Sequence, residues 1–318
     1  MKQPLVILTG PTAVGKTKLS IALAKAVGGE IISADSMQVY RRMDIGSAKI
    51  RREEMEGVPH HLIDVLDPKE EFHVVRFQAL AREALEGIYE RGRIPIVAGG
   101  TGFYIQALLY DIDFTENEEN PDVRRELERL AADQGAEVLH GMLEEADPEA
   151  ARQIHANNVK RVIRALEFYR LTGKKISEHN EEQRKRETPY EAAYFVLNDV
   201  RSRLYERIDR RVDAMLEEGL LEEVKALRAE GCTREMVSMQ GLGYKELLAY
   251  LEGAYSLEEA VRILKRDTRH FAKRQLTWFK RERDVIWVDK AAFSYDDEAL
   301  LAFMITILRE KGILTEED

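Results

Sequence analysis

What this sequence lacks narrows it first. Cys232 is the only cysteine among 318 residues, which excludes an intramolecular disulfide framework and a multi-cysteine zinc site. No apolar run approaches the roughly eighteen residues of a membrane span, so no membrane association is expected. The opening MKQPLVILTG carries one short apolar run that ends in a glycine turn, in character a buried strand and not a secretion signal. A reducing cytoplasm is the expected compartment. Internal repeats and low-complexity tracts are missing, which excludes solenoids and fibrous arrays. Nor is there an excess of base. Lys+Arg number 48 against 58 Asp+Glu, a formal net charge of −10, which at first sight speaks against nucleic acid as a partner. Hydrophobic residues make up 44%, too many for a disordered chain and enough for one large core or two ordinary ones.

What is present falls into three stretches. In residues 1–110, LVILTG (5–10), EIISAD (30–35), a candidate within VPHHLIDVLD (58–67) and IPIVAGG (94–100) read as strands. Between them KTKLSIALAKAV (16–27), VVRFQALAREALEGIYERG (74–92) and TGFYIQALLY (101–110) read as helices. Alternation at this spacing predicts an α/β fold, a parallel sheet covered by helices. From residue 111 the strand signal disappears. TENEENP (115–121) is a polar breaker, 122–147 has helical period, and NVKRVIRALEFYRLTG (158–173) is a helix with a glycine C-cap. HNEEQRKRETP (179–189) reads as a solvated linker. Residues 111–189 are therefore expected to form an all-helical insertion domain. Strand character returns in YEAAYFVLN (190–198) and VIWVD (285–289). Between these lie two helices across 203–231 and a long basic helix across 256–282, whose Ser256 and Glu259 have capping-box spacing. With a last helix near 297–310, residues 1–110 and 190–318 would form one core domain.

Gly10-Pro11-Thr12-Ala13-Val14-Gly15-Lys16-Thr17 fits G-x-x-x-x-G-K-[ST], follows a strand and opens a helix, the context of a P-loop NTPase-like fold. Its glycines let successive N–H groups point at phosphate oxygens, Lys16 supplies a point charge, and the Thr17 hydroxyl is placed to ligate Mg²⁺. The motif predicts a di- or triphosphate without naming the molecule that carries it. Asp35 falls just past the second strand, at the edge that faces the crevice in open α/β sheets. A carboxylate there ligates Mg²⁺, accepts a proton from a nucleophile, or caps a turn beginning at Ser36. All three readings stand at this point. Gln38 carries an amide able to pair with an adenine edge. Ala98-Gly99-Gly100-Thr101-Gly102 follows a strand that lacks the terminal acid of many nucleotide hydrolases, which weakens a motor-ATPase or GTPase reading. Thr101 offers a hydroxyl at the same edge. His60 and His61 have no partner at metal-ligand spacing and are read as structural or surface residues.

GPTAVGKT, SADSMQVYR, PHHLIDVLDP and AGGTGFYI are followed in order by KRVIRALEFYRLTGK (160–174), RLYERIDRRVDAMLEEGLLEEV (203–224), QGLGYKE (240–246) and TRHFAKRQLTWFKR (268–281). Together these segments resemble the bacterial tRNA dimethylallyltransferases, from residue 4 to about residue 289. That resemblance implies transfer of a dimethylallyl group from dimethylallyl diphosphate to N6 of adenosine at tRNA position 37, releasing diphosphate. It implies Mg²⁺ as cofactor, the anticodon stem-loop as partner, and a phosphate loop that holds a leaving group; a monomer is expected. QGLGYKE departs from the family's commoner QAIGYKE by apolar exchanges that leave the chemistry untouched. The zinc-finger extension of eukaryotic relatives is excluded by the single cysteine.

Under that resemblance Asp35, the aspartate of SADSMQ, is the base that orients N6 and takes its proton. Lys16 and one arginine stabilise the departing diphosphate; Arg207 is the candidate, with Arg203 and Arg210 as neighbours able to replace it. Thr101 and Gln38, with Ser36 and Met37 beside them, hold the extruded adenine. The acidic net charge becomes a matter of distribution. Residues 111–200 carry 13 basic and 21 acidic residues, whereas 1–110 carry 14 and 13. Residues 265–283 hold eight Lys/Arg against Asp267 and Glu282, interleaved with Phe271, Trp278 and Phe279, a pattern suited to RNA phosphates and unstacked bases. Lys273, Arg274 and Trp278 are the tRNA-contact candidates there, and Lys160, Arg161, Arg164 and Arg124 those of the insertion. Two alternatives stay open: a P-loop small-molecule kinase with a helical lid, and a non-catalytic RNA-binding nucleotide switch.

Overall fold

The computed structural model describes residues 2–114 and 121–315, so the polar breaker expected at 115–121 lies, apart from Pro121, outside the described residues. The chain divides into two compact units, Met1–Leu109 with Pro189–Asp318, and Tyr110–Thr188. Six parallel strands form the sheet of the first unit: β1 (Gln3–Thr9), β2 (Gly29–Ala34), β3 (His60–His61), β4 (Ile94–Gly99), β5 (Tyr190–Asn198) and β6 (Val285–Asp289). Their order is β3-β2-β4-β1-β5-β6. The helices are α1 (Lys16–Val27), α2 (Val74–Glu90) and α3 (Gly102–Leu109). The second unit contributes α4 (Pro121–Gln134), α5 (Ala136–Ala146), α6 (Pro148–Gln153), α7 (Val159–Thr172) and α8 (Ile176–Lys185). The first unit resumes with α9 (Arg201–Glu217), α10 (Leu220–Ala229), α11 (Tyr244–Leu251), α12 (Leu257–Phe279) and α13 (Asp297–Glu310).

β1 lies inside the sheet because it is apolar on both faces. Leu5, Val6, Ile7 and Leu8 are at most 1% exposed, as a parallel strand between helical layers requires. Register pairs Val6 with Ile96 and Leu8 with Phe195, and these four share a core cluster with Leu19 and Leu23 of α1 and with Leu300 and Met304 of α13. The helical unit has its own core of Leu127, Leu139, Leu143, Val162 and Leu166. Gly135, at φ 90°, separates α4 from α5, and Gly173, at φ 70°, closes α7.

One expectation needs correction. The run 179–189, read as a solvated linker, lies largely in α8. Asp147 accepts from the Ser177 amide (2.9 Å) and hydroxyl (2.7 Å), which pins the first turn. The His179 ring lies 5.0 Å from that of Phe168, and Glu181 pairs with Lys185 one turn on. Local pairs of this kind stabilise a charged helix that composition alone reads as loop. The parallel sheet brings the C-terminal ends of β1, β2, β4 and β5 to one edge, where the following turns carry Gly10–Thr17, Asp35–Gln38, Gly99–Gly102 and Asp199. No helix among the described residues is long and apolar enough to cross a membrane.

Candidate active site

The phosphate loop leaves β1 at Gly10. Its φ is 146°, and an added Cβ would stand 2.5 Å from the Leu197 carbonyl oxygen, so only glycine fits. Val14 is fully buried beneath the loop, and Gly15, at φ 100°, starts α1. Lys16 Nζ donates to the carbonyl oxygens of Gly10 (3.0 Å) and Pro11 (2.9 Å), inside its own loop. Burial pushes the Lys16 pKa down to about 8, against the pull of nearby Asp35 and with the push of Arg211. Thr17 is exposed on the first turn of α1.

Opposite this loop stands Asp35, in a turn its own side chain organises. Asp35 Oδ1 accepts from the amides of Met37 (2.8 Å) and Gln38 (3.4 Å), leaving Oδ2 without a hydrogen bond among the described residues. The capping reading of Asp35 therefore holds for one oxygen and leaves the other for chemistry. Thr101 N donates to the Ala34 carbonyl (3.1 Å), which fixes Thr101 beside Asp35. Gln38 does not present its amide freely. It accepts from the Ser33 hydroxyl (3.2 Å), and its Nε2 donates weakly to Ser47 and Ala48 carbonyls. Met37 packs on Gly241, where an added Cβ would stand 2.7 Å from its sulfur.

Three residues that sequence reasoning missed complete the site. Glu223 of α10 accepts from the amides of Asp44 (2.9 Å), Ile45 (2.8 Å) and Gly46 (3.1 Å) and from the Tyr244 hydroxyl (2.7 Å), so one carboxylate holds the segment that follows the Asp35 turn. Burial and this carboxylate push the Tyr244 hydroxyl pKa well above its ordinary value, which keeps it a donor. Gln275 of α12 is buried, accepts from Thr12 N (2.8 Å) and donates to Gly100 O (2.9 Å), joining the phosphate loop to the second glycine turn. The sequence signal for it was a polar amide on the buried stripe Ala272, Gln275, Phe279.

The third is Arg211, a further arginine beside the candidate Arg207. Arg207 is committed to Asp199, a fully buried carboxylate that requires a cation. Arg203 stacks over Tyr295, 3.8 Å from its centroid, and Arg210 pairs with Glu206. Arg211 lies one helical turn beyond Arg207 on the same face of α9. Burial lowers its pKa while the Asp35 charge raises it. The signal was the RIDRR run itself, in which i and i+4 share a face.

The remaining candidates divide by company. On α12, Lys265 and Arg269 are tied to Asp213 (2.6 Å) and Asp209 (2.5 Å) of α9, whereas Lys273 and Arg274 are exposed. Trp278 packs edge-on to Phe103 and lies against Gly102, where an added Cβ would stand 2.3 Å from the indole. In the helical unit Lys160 and Arg161 are exposed, Arg164 balances buried Glu167 (3.3 Å), and Arg124 reaches Glu128 (3.6 Å). His60 Nδ1 bonds the Val58 carbonyl and His61 pairs with Glu30, which Arg91 also holds. Among the described residues no cluster of His, Cys, Asp and Glu could cage a metal. An exposed Thr17 hydroxyl beside a phosphate loop fits Mg²⁺, which takes few protein ligands and completes its shell with substrate phosphates and water.

Fold and site define a phosphate-loop α/β enzyme in which a strand-end carboxylate faces the loop and β4 lacks a hydrolase acid. The IPP transferase family profile matches residues 38–282, and an isopentenyl transferase profile matches 3–67. The chain belongs to the IPP transferase family, the tRNA dimethylallyltransferases. It is 64% identical over 312 residues to the tRNA dimethylallyltransferase of Lachnoclostridium phytofermentans, covering 98% of this chain and 99% of that one. To the Bacillus licheniformis tRNA dimethylallyltransferase it is 56% identical over 288 residues, 91% of each chain. The crystal structure of the full-length tRNA isopentenylpyrophosphate transferase of Bacillus halodurans superimposes with TM-score 0.74 at 47% identity, over 98% of both chains. A eukaryotic dimethylallyltransferase acting on tRNA gives TM-score 0.77 at 35% identity, over 90% of this chain and 74% of that one. These relatives favour prenyl transfer over the kinase and switch alternatives.

Proposed function

We propose that this enzyme transfers a dimethylallyl group from dimethylallyl diphosphate to N6 of adenosine at position 37 of tRNA, within the anticodon stem-loop. The observation that carries the reading is Asp35, with one carboxylate oxygen left over, at the sheet edge where the phosphate loop and the second glycine turn also begin. The N6 amine is a weak nucleophile because its lone pair is delocalised into the ring. Asp35 Oδ2 accepts an N6 hydrogen bond, orients the lone pair at C1 and takes the proton as the N6–C1 bond forms. The C1–O bond breaks in the same displacement, and its electron pair leaves on the diphosphate. Lys16, the loop amides and Arg211 meet that growing charge in a preorganised site. Thr101 flanks the adenine. The Thr17 hydroxyl would hold Mg²⁺, which would supply further neutralisation of the diphosphate charge.

Lys273, Arg274 and Trp278, with Lys160, Arg161, Arg164 and Arg124 of the helical unit, make the RNA contacts. The enzyme acts as a cytoplasmic monomer. Purified protein with Mg²⁺ is expected to move label from dimethylallyl diphosphate onto an unmodified anticodon stem-loop RNA, with ATP unable to substitute. Phosphate transferred to an acceptor, with no prenylated RNA, would sink this reading.

A further inference from the structure

We propose that the cavity between the ends of β5 and β6 and the last turn of α12 is a nucleotide subsite, which receives a residue of the RNA flanking the modified adenosine. The proposal rests on the prenyl-transfer reading above. The cavity, of about 470 Å³, is lined by Leu276 together with Asn198, Asp199, Arg201, Lys280, Trp287 and Asp289, a size in the range of small-ligand sites. Its place follows from the register. Asn198 pairs with Asp289 where both strands end, at the same sheet edge as Gly10 and Asp35. β5 is the direct neighbour of β1, about 5 Å away, so the subsite adjoins the strand that carries the phosphate loop.

Four of the lining groups suit parts of a nucleotide. Trp287 is 38% exposed on the edge strand β6, with no ring partner among the described residues, and an open indole face is a stacking platform for an unpaired base. The Asn198 amide has no hydrogen-bond partner among the described residues and offers both a donor and an acceptor to a base edge. Arg201 and Lys280 are exposed and have no carboxylate partner among the described residues, unlike Lys265 and Arg269 earlier on α12. Of the two acids, Asp199 has its own cation, and Asp289 leaves one negative charge against two positive ones. Asp199 is neutralised by Arg207 and also accepts from Val200 N (2.7 Å) and the Tyr295 hydroxyl (3.1 Å), while Asp289 caps Ala291 N (3.2 Å). A platform, an amide and two uncommitted cations in one cavity match a ribonucleotide: base, base edge and phosphates.

The test compares wild-type protein with Trp287→Leu and Lys280→Ala, using an unmodified anticodon stem-loop RNA. KM for RNA is expected to rise roughly 5- to 100-fold in Trp287→Leu and by less in Lys280→Ala, with kcat and KM for dimethylallyl diphosphate unchanged. Tryptophan fluorescence supplies a readout that needs no catalysis, because the RNA should quench wild-type emission more than that of Trp287→Leu. Unchanged RNA KM in both variants, with unchanged quenching, overturns the subsite. Equal quenching by free AMP at the same concentration also overturns it, because the cavity would then serve a mononucleotide. Failure of the wild-type protein to prenylate RNA would instead refute the functional reading, and the quenching comparison would still decide the subsite.

Discussion

The two sides of the site are built in opposite ways. The phosphate side is one contiguous stretch, Gly10–Thr17, shaped by its own glycines and closed by its own lysine. The acceptor side, from Asp35 to Gly46, takes its shape from far along the chain. Glu223 and Tyr244 hold residues 44–46, and Gly241 makes room for Met37. At Gly46 an added Cβ would stand 2.6 Å from the Tyr244 ring, so even the spacing between loop and clamp is set by the absence of a side chain. Gln275 hydrogen-bonds to both glycine turns. A phosphate cradle needs only backbone amides in the right curve, which local sequence supplies. A base must be held against a substrate, and that requires supports from the finished fold.

The largest effect is expected at Asp35. Asp35→Ala is expected to lower kcat by about 10²- to 10⁴-fold with KM for dimethylallyl diphosphate little changed, since the phosphate side is intact. Retained turnover would move the base elsewhere. Next in size is the contrast between two arginines one turn apart. Arg211→Gln should lower kcat/KM for dimethylallyl diphosphate about 10- to 100-fold, the loss of charge-assisted contacts, with Tm unaltered. Arg207→Gln should instead lower stability by about 2 kcal/mol, between exposed and buried pairs, because Asp199 is left without its cation. The reverse pattern would return the diphosphate to Arg207.

A pH profile separates the sides at smaller amplitude. Burial lowers the Lys16 pKa to about 8, so the cation is present below that pH and lost above it. In the free enzyme kcat/KM for dimethylallyl diphosphate should fall about tenfold per unit above pH 8. Saturating kcat should hold to higher pH, because bound diphosphate favours the charged lysine. A flat profile up to pH 10 would remove Lys16 from this role. The smallest effect is expected from Glu223→Gln. Its amide would turn N–H groups toward backbone donors, costing about 1–3 kcal/mol in thermal unfolding and a few-fold in kcat, with the Lys16 limb unmoved. A kcat as low as that of Asp35→Ala would place Glu223 in the reaction itself.

How much of this was legible follows the same division. The parallel sheet, the helical insertion and the phosphate loop were readable because each rests on local periodicity or a contiguous motif. Asp35 was readable as a strand-end carboxylate, though only the fold shows that one oxygen caps the turn and the other is left over. Arg207 was named with Arg203 and Arg210 as its alternatives, and sequence alone could not show that Arg207 pairs with buried Asp199 or that Arg211 shares its helical face. Gln38 looked like a base reader and is occupied within its own loop. Helix α8 was hidden because Asp147, which pins it, lies 30 residues upstream of Ser177.

The distance between donor and acceptor along the chain also orders events during synthesis. A ribosome releases β1, β2, β3 and β4 first, with one edge of β1 bare until β5 arrives after the whole helical unit. An unpaired apolar strand edge is an invitation to mispairing, and pairings this remote form slowly. The phosphate loop can take shape early, but Thr12 meets Gln275 across 263 positions and Glu223 meets the 44–46 segment across nearly 180. The nascent chain therefore has a phosphate cradle before it has a rigid acceptor pocket, and competence for chemistry arrives only when the last quarter of the protein has been made.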